Sequence, residues 1–328
     1  MKFAMRIAAA LGLLIIIALV IHGGARDIAL LLANAGWALL WLVPLHLLPL
    51  QLDALGWREL LRTAGAPAAS HRPVRLLWIA SVREAVNRLL PVAGIGGEIV
   101  GIRMTARRGA TVVPVTASIV VEVLLTLASQ LLFAVLGLLC LLHVTHNDAG
   151  TPEVLIAIAA IFVMVVANYL LLRYGRIFER VLSRIENSLD LPSQLRELAG
   201  QATAVDGAIR ALCTHHAVLL RTVAWQLSGL IAGTLETWLA LRLLGHPVGP
   251  FAALALESLT QVVRHFVFIV PAGLGVQEAG LVGGGLLLGV STDAALALSA
   301  AKRMRELVYG VPVLLAWQWR QLLGKTRD

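Results

Sequence analysis

Apolar residues along this chain come in long runs with few charges, not in alternation. Runs at about 4–22, 28–50, 112–144, 154–172, 217–243 and 294–319 each approach or exceed the ~20 residues that a helix needs to cross the hydrocarbon core. The pattern predicts an all-α fold, a polytopic membrane helix bundle with about six full spans. Pro44, near the end of the second run, predicts a kink. The polar stretch Gln51 to Arg75 holds Leu55, Leu60 and Leu61 and suits a short interfacial helix. Between Arg173 and Arg221, Ile177, Val181, Ile185 and Leu189 recur at helical spacing. Pro192 then opens a second stretch with Leu195, Leu198, Val205 and Ile209. Segment 173–216 therefore reads as amphipathic and cytoplasmic. The adjacent His215 and His216 read as surface residues.

Two segments break the pattern. Leu76 to Met104 is long enough to cross, yet it contains Arg83, Glu84, Asn87, Arg88 and Glu98, and it is interrupted at Pro91-Val92-Ala93-Gly94-Ile95-Gly96-Gly97. Arg58, Arg62, Arg72 and Arg75 precede it, and Arg103, Arg107 and Arg108 follow. A crossing would put these groups on opposite faces; a hairpin that enters and returns satisfies the positive-inside rule better. Phe251 to Val290 is the second such segment. It holds Glu257, Gln261, Arg264 and His265 and breaks at Pro271-Ala272-Gly273-Leu274-Gly275-Val276-Gln277-Glu278. The two breaks, PVAGIGGE and PAGLGVQE, both run from Pro to Glu over the same spacing. Each segment is preceded by two spans and followed by one. Three crossings per half make the second half inverted, so the expectation is one integral membrane domain, 1–328, of two half-repeats at about 1–145 and 150–320. Inverted repeats with broken helices are an architecture of secondary transporters.

Composition supports this reading. Of 328 residues, 59% are hydrophobic and 14% charged, where a soluble domain carries about 25% charged residues. The formal charge of +8 lies in arginine clusters between apolar runs, a membrane-orientation signal and not a nucleic-acid footprint. With no Lys or Arg between Arg108 and Arg173, the loop around His143 to Glu153 is expected outside and both termini in the cytoplasm. The run after Lys2 and Arg6 lacks an A-x-A cleavage pattern and is expected to be a retained helix. Cys140 and Cys213 have neither disulfide nor zinc-site spacing.

Charge at the centre of a span costs about 2.5–3.5 kcal/mol on insertion scales. Arg264 lies ~20 Å into its segment at helical rise, and Lys302, Arg303, Arg305 and Glu306 lie inside the last run. Glu84 with Arg88 and Arg303 with Glu306 have helical pair spacing. The surplus predicts a polar cavity at depth, suited to a lipid head group. Half-helix N-termini after Gly96 and Gly275 would offer N–H groups to an anion, and arginines forked bonds to phosphate or carboxylate. The candidate substrate-binding set is Arg83, Asn87, Arg88, Pro91, Gly94, Gly96, Gly97, Glu98, Arg103, Glu122, Arg264, Gly273, Gly275, Gln277, Glu278, Lys302, Arg303, Arg305 and Glu306. No catalytic residue, metal ligand or cofactor is predicted, and no nucleotide-binding Gly-x4-Gly-Lys-[Ser/Thr] loop occurs.

VREAVNRLLPVAGIGGEIVGIRMTARRG, PAGLGVQEAG and LALSAAKRMRELVYGVPVLLAWQ together resemble the HpnL-type membrane proteins associated with hopanoid biosynthesis. More broadly they resemble the flippase-like membrane region of lysylphosphatidylglycerol synthase. The resemblance runs from about the first span to Gln318. It implies a bacterial inner-membrane protein that moves a polar-headed lipid between leaflets, in company with hopanoid-biosynthesis proteins. The synthase carries a soluble aminoacyl-transfer domain after its membrane region, whereas this sequence ends at Asp328, so no aminoacyl transfer is expected. The alternatives are a non-transporting scaffold and an intramembrane lipid-modifying transferase. Against the transferase, Asp27 and Asp53 stand alone and no paired-Asp or His-Glu-x-x-His motif occurs.

Overall fold

The computed structural model describes residues 25–90, 96–106, 112–146, 152–174, 201–266 and 275–325. Every regular element among them is helical. Helix α1 (Ala25–Ala35) passes through a 3-10 turn, Gly36–Trp41, into α2 (Leu42–Thr63). Then come α3 (Pro73–Leu89), α4 (Gly96–Ala106), α5 (Val112–Thr145), α6 (Pro152–Tyr174) and α7 (Ala202–Cys213). The chain continues through α8 (His216–Leu243), α9 (Pro250–Phe266), α10 (Val276–Leu287) and α11 (Thr292–Lys325). Ile28–Thr63, Val112–Thr145, Val154–Leu171 and His216–Leu243 are long and apolar enough to cross a membrane. The fold is an all-α membrane helix bundle. Helix α11 has the length of a span but carries Lys302, Arg303, Arg305 and Glu306. The run at 4–22 and residues 175–200 of the amphipathic segment lie outside the described residues.

Two expectations change. The break in the second run falls at Gly36, where φ is +51°. Pro44 sits in the first turn of α2, where a missing N–H costs nothing. Gln51 to Thr63 is also no separate interfacial helix. It continues α2, and Trp57, Leu60 and Leu61 are fully buried. Their partners are Ile79, Val115 and Ile119 on one side and Val121, Val205 and Ile209 on the other. Tertiary burial thus outweighs the polar character of this stretch. Helix α6 is at the periphery: Ile156, Phe162 and Val163 are exposed, as lipid-facing residues are, while Asn168 donates to the Leu124 carbonyl (3.0 Å). Helix α7 buries Val205, Ile209 and Leu212 and leaves Arg210 exposed.

The odd segments are helical hairpins. Arg75 donates to the Met104 carbonyl (2.9 Å), and Asn87 accepts from the Gly97 N–H (2.8 Å). Helices α3 and α4 are therefore antiparallel, joined across 91–95. Helices α9 and α10 are antiparallel too. Gly280 packs on Thr260, Gly284 on Leu256, and Arg264 donates to Gln277 (2.9 Å). Helix α4 has 11 residues and α10 has 12. At 1.5 Å per residue they reach about 17–18 Å, short of the ~30 Å core.

The runs α2–α5 and α8–α11 correspond element by element. Helix α5 begins at Val112 and ends at Thr145; α11 begins at Thr292 and ends at Lys325, both boundaries 180 residues on. The ends of α2 and α8 (Thr63, Leu243) and the starts of α4 and α10 (Gly96, Val276) keep the same interval. Packing is matched as well. Helix α5 packs on α9, and its counterpart α11 on α3. Helices α2 and α8 pack on each other, Gly229 against the backbone of Pro49 and Gly56 against Thr222. They run antiparallel and cross at Pro49 and Gly229, themselves 180 residues apart. The axis relating them is perpendicular to the helices, so corresponding helices point in opposite directions.

Candidate functional site

Charged side chains gather in three clusters, one of which joins the two runs. In the first cluster, Arg83 of α3 reaches Glu122 of α5 (Nη1 to Oε2, 2.9 Å) and Glu98 of α4. Its guanidinium lies 4.9 Å from the Trp57 ring centroid, and Trp57 donates to Ser118 Oγ (3.1 Å). Arg83 and Glu122 are buried, and their proximity offsets the cost of holding charge in a low-dielectric interior. Asn87 donates to Glu98 (3.4 Å). Glycine fits at 97 because a Cβ there would press on the Arg83 backbone carbonyl as well as on the Asn87 amide.

The second cluster joins both runs. His46 of α2 lies between Glu236 of α8 (Nδ1 to Oε1, 2.7 Å) and Glu84 of α3 (Nε2 to Oε2, 2.8 Å). Arg305 of α11 approaches the same two carboxylates, at 3.3 Å from Glu236 and 3.9 Å from Glu84. Arg88 spans Glu84 (3.8 Å) and Glu306 (3.9 Å). Tyr309 stacks edge-on against His46 and donates to Ser81 Oγ (2.5 Å).

The third cluster belongs to the second run. Lys302 of α11 pairs with Glu257 of α9, which also accepts from Thr237 (2.5 Å) and Gln261 (3.0 Å). Arg303 pairs with Glu278 of α10 through Nε (2.6 Å) and Nη2 (3.1 Å). Ser299 donates to Glu278 (2.9 Å) and accepts from Gln277 (3.0 Å). Lys302 stands 180 residues after Glu122, so corresponding places on α11 and α5 carry opposite charge.

The clusters bring together Arg83, Asn87, Arg88, Gly97, Glu98, Glu122, Arg264, Gln277, Glu278, Lys302, Arg303, Arg305 and Glu306. Gly96 and Gly275 begin the short helices, Gly275 as the residue before α10 with φ +76°. Arg103 stands apart, exposed in the last turn of α4. Pro91, Gly94 and Gly273 lie outside the described residues. Free N–H groups at the start of α4 were expected, but the Gly97 N–H is already bound by Asn87. A carboxylate stands in the first turn of each short helix, Glu98 in α4 and Glu278 in α10. Each complements the positive helix end and is itself paired with an arginine.

Exposure separates the cations. Arg83, Lys302 and Arg305 are buried. The Arg88 side chain is 32% exposed and Arg303 24%. Arg264 is half-buried, donates to the neutral Gln277 and makes no ion pair among the described residues. All three are partly exposed near the hairpin breaks, Arg303 with its guanidinium already held by Glu278. The candidate set left out Glu84, Glu236 and Glu257, which hold the second and third clusters together. The sequence reading missed His46, Trp57 and Tyr309 altogether. Of these only His46 carried a signal, as a lone ionisable residue in the apolar run LVPLHLLPLQ. No group of three or more His, Cys, Asp or Glu among the described residues could hold a metal ion.

A family model described as "Lysylphosphatidylglycerol synthase TM region" matches residues 6–323. No curated protein and no solved structure matches the chain.

Proposed function

Because the chain belongs to the lysylphosphatidylglycerol synthase TM-region family, we propose that it translocates a polar-headed lipid between leaflets of the bacterial inner membrane. The observation that carries the reading is the ionic network joining α2 and α3 to α8 and α11, bordered by the partly open Arg88, Arg264 and Arg303. A structural role alone would be served as well by apolar side chains, since replacing buried ion pairs by well-packed hydrocarbon is often neutral or stabilising. Arg88 and Arg264 at the hairpin breaks suit a phosphate or carboxylate head group, while the exposed apolar helix faces leave its tail in lipid. The two runs act as inverted repeats that exchange access around this site, as in other transporters with broken helices. The three sequence stretches similar to HpnL-type proteins support a hopanoid-related lipid or a phospholipid as cargo. The reading is of a transporter and not an enzyme.

The test uses purified protein in liposomes carrying a headgroup-labelled phosphatidylglycerol, with label in the outer leaflet quenched chemically. The wild type is expected to expose inner-leaflet label faster than protein-free liposomes. Arg88→Gln combined with Arg264→Gln removes two charge-assisted contacts worth about 1.5–3 kcal/mol each, so translocation should fall at least ~10-fold. A wild-type rate equal to that of empty liposomes, or a double variant as fast as wild type, overturns the reading. Chemical turnover of the labelled lipid would favour a transferase.

A further inference from the structure

We propose that His46, Glu84 and Glu236 form a proton-binding site that latches the two helical runs together and couples lipid movement to a proton gradient. The proposal rests on the transport reading above. Its geometry is independent of it.

A neutral imidazole has one N–H donor and one bare nitrogen, and an ionised carboxylate only accepts. Here both ring nitrogens face carboxylate oxygens at hydrogen-bond distance, Nδ1 at 2.7 Å from Glu236 and Nε2 at 2.8 Å from Glu84. One of these contacts would set lone pair against lone pair unless the trio holds an additional proton, either on the imidazole or on a carboxyl. The trio is buried or nearly so, with side-chain exposures of 9%, 18% and 5% for His46, Glu84 and Glu236. Little solvent is present to relieve the repulsion.

The surroundings leave the proton decisive. Arg88 of α3 and Arg305 and Glu306 of α11 complete the inner group, and Tyr309 covers the ring. With the proton bound, His46, Arg88 and Arg305 balance Glu84, Glu236 and Glu306, and the group is neutral. Without it, one negative charge is uncompensated. Glu257 of α9, itself paired with Lys302, lies within electrostatic reach of Arg305, and Asp53, further along α2, within reach of Glu84. Both are acidic, so neither supplies the missing positive charge.

Placement makes this a latch. His46 and Glu84 belong to the first run, and Glu236 and Arg305 to the second. Loss of the proton removes the bond from His46 to one of the two carboxylates. The bond to Glu236 is the one that crosses between runs, at the helix pair α2–α8 about which corresponding helices are related. A movement of one run against the other then alternates with proton binding and release.

The experiment uses the liposomes described above, with a pH step across the membrane and a trapped pH-sensitive dye. For one proton per lipid, each pH unit is expected to shift the steady-state leaflet ratio about tenfold. Lipid movement should also carry a dye-reported proton flux. Glu236→Gln supplies a permanent N–H donor to the imidazole and holds the latch closed while the protein stays folded. It should lose the gradient response. His46→Gln should lose it too. A wild-type leaflet ratio indifferent to the pH step, or a gradient response kept by both variants, overturns the proposal. Should the wild type move no lipid at all, the transport reading fails, and the latch is judged by infrared titration of the purified protein. A carboxyl or imidazole protonation step present in wild type and absent in His46→Gln supports the site. Identical titrations overturn it.

Discussion

Replacing Arg83 by methionine tests whether the first cluster is held by charge. Methionine keeps the flexible stem and removes the cation. Glu122 is then left buried without its donor, because no side chain other than Arg83 donates to its carboxylate among the described residues. Glu122 is 2% exposed, so water does not replace the lost partner. Glu98 fares better, being 19% exposed on its side chain and also bonded to Asn87. Breaking a buried pair from one side costs about 3–5 kcal/mol. That is well above the ~0.6 kcal/mol average for side-chain hydrogen bonds between membrane helices. Arg83→Met with Glu122→Leu removes both charges and should recover most of the loss, giving a coupling energy of about 2–3 kcal/mol. Reversible detergent unfolding in mixed micelles, followed by tryptophan fluorescence, reads these differences, and Trp57 beside the guanidinium reports on the cluster itself. An Arg83→Met protein within about 0.5 kcal/mol of wild type, or a double variant no more stable than the single one, would refute the reasoning.

Other consequences follow from packing and from the hairpins. Gly97→Ala drives a Cβ onto the Arg83 carbonyl and the Asn87 amide and should destabilise by about 1–3 kcal/mol in the same unfolding assay. Gly207→Ala, where a Cβ meets nothing within 4 Å, should instead stabilise α7 by up to ~1 kcal/mol. Gly229→Leu, at the crossing with Pro49, should separate α2 from α8 and lower the thermal midpoint more than the same change at exposed Gly207. Cysteines replacing Ala69 and Arg103, both exposed, should react with an impermeant maleimide from one face of the membrane, because Arg75 ties the start of α3 to the end of α4. Labelling from opposite faces would exclude the hairpin.

Much of the fold was legible because the solvent imposes it. Apolar runs of span length read directly as helices, and Pro-Gly breaks read as helix ends because Gly275 adopts a left-handed φ that a side chain resists. The matched Pro-to-Glu spacing pointed to the correspondence of α4 with α10. The Gln51–Thr63 stretch misled, since polar residues there shared a helix with Trp57, Leu60 and Leu61, whose partners are remote in sequence. The candidate site was legible in kind but not in arrangement. Arginines and glutamates inside apolar segments announced buried ionic contacts, yet spacing predicted only local pairs such as Glu84 with Arg88.

The sequence by itself determined that this chain lives in a bilayer, that it is helical, and that charge is carried into its interior near two glycine-rich breaks. These follow from the cost of exposing backbone and polar groups to hydrocarbon, which acts on each segment separately. Only the tertiary structure decided which charges meet. His46 finds Glu236 across 190 residues and Arg83 finds Glu122 across 39. Such pairs form because burial leaves an ion no other partner, and that choice depends on how α2, α3, α8 and α11 pack together.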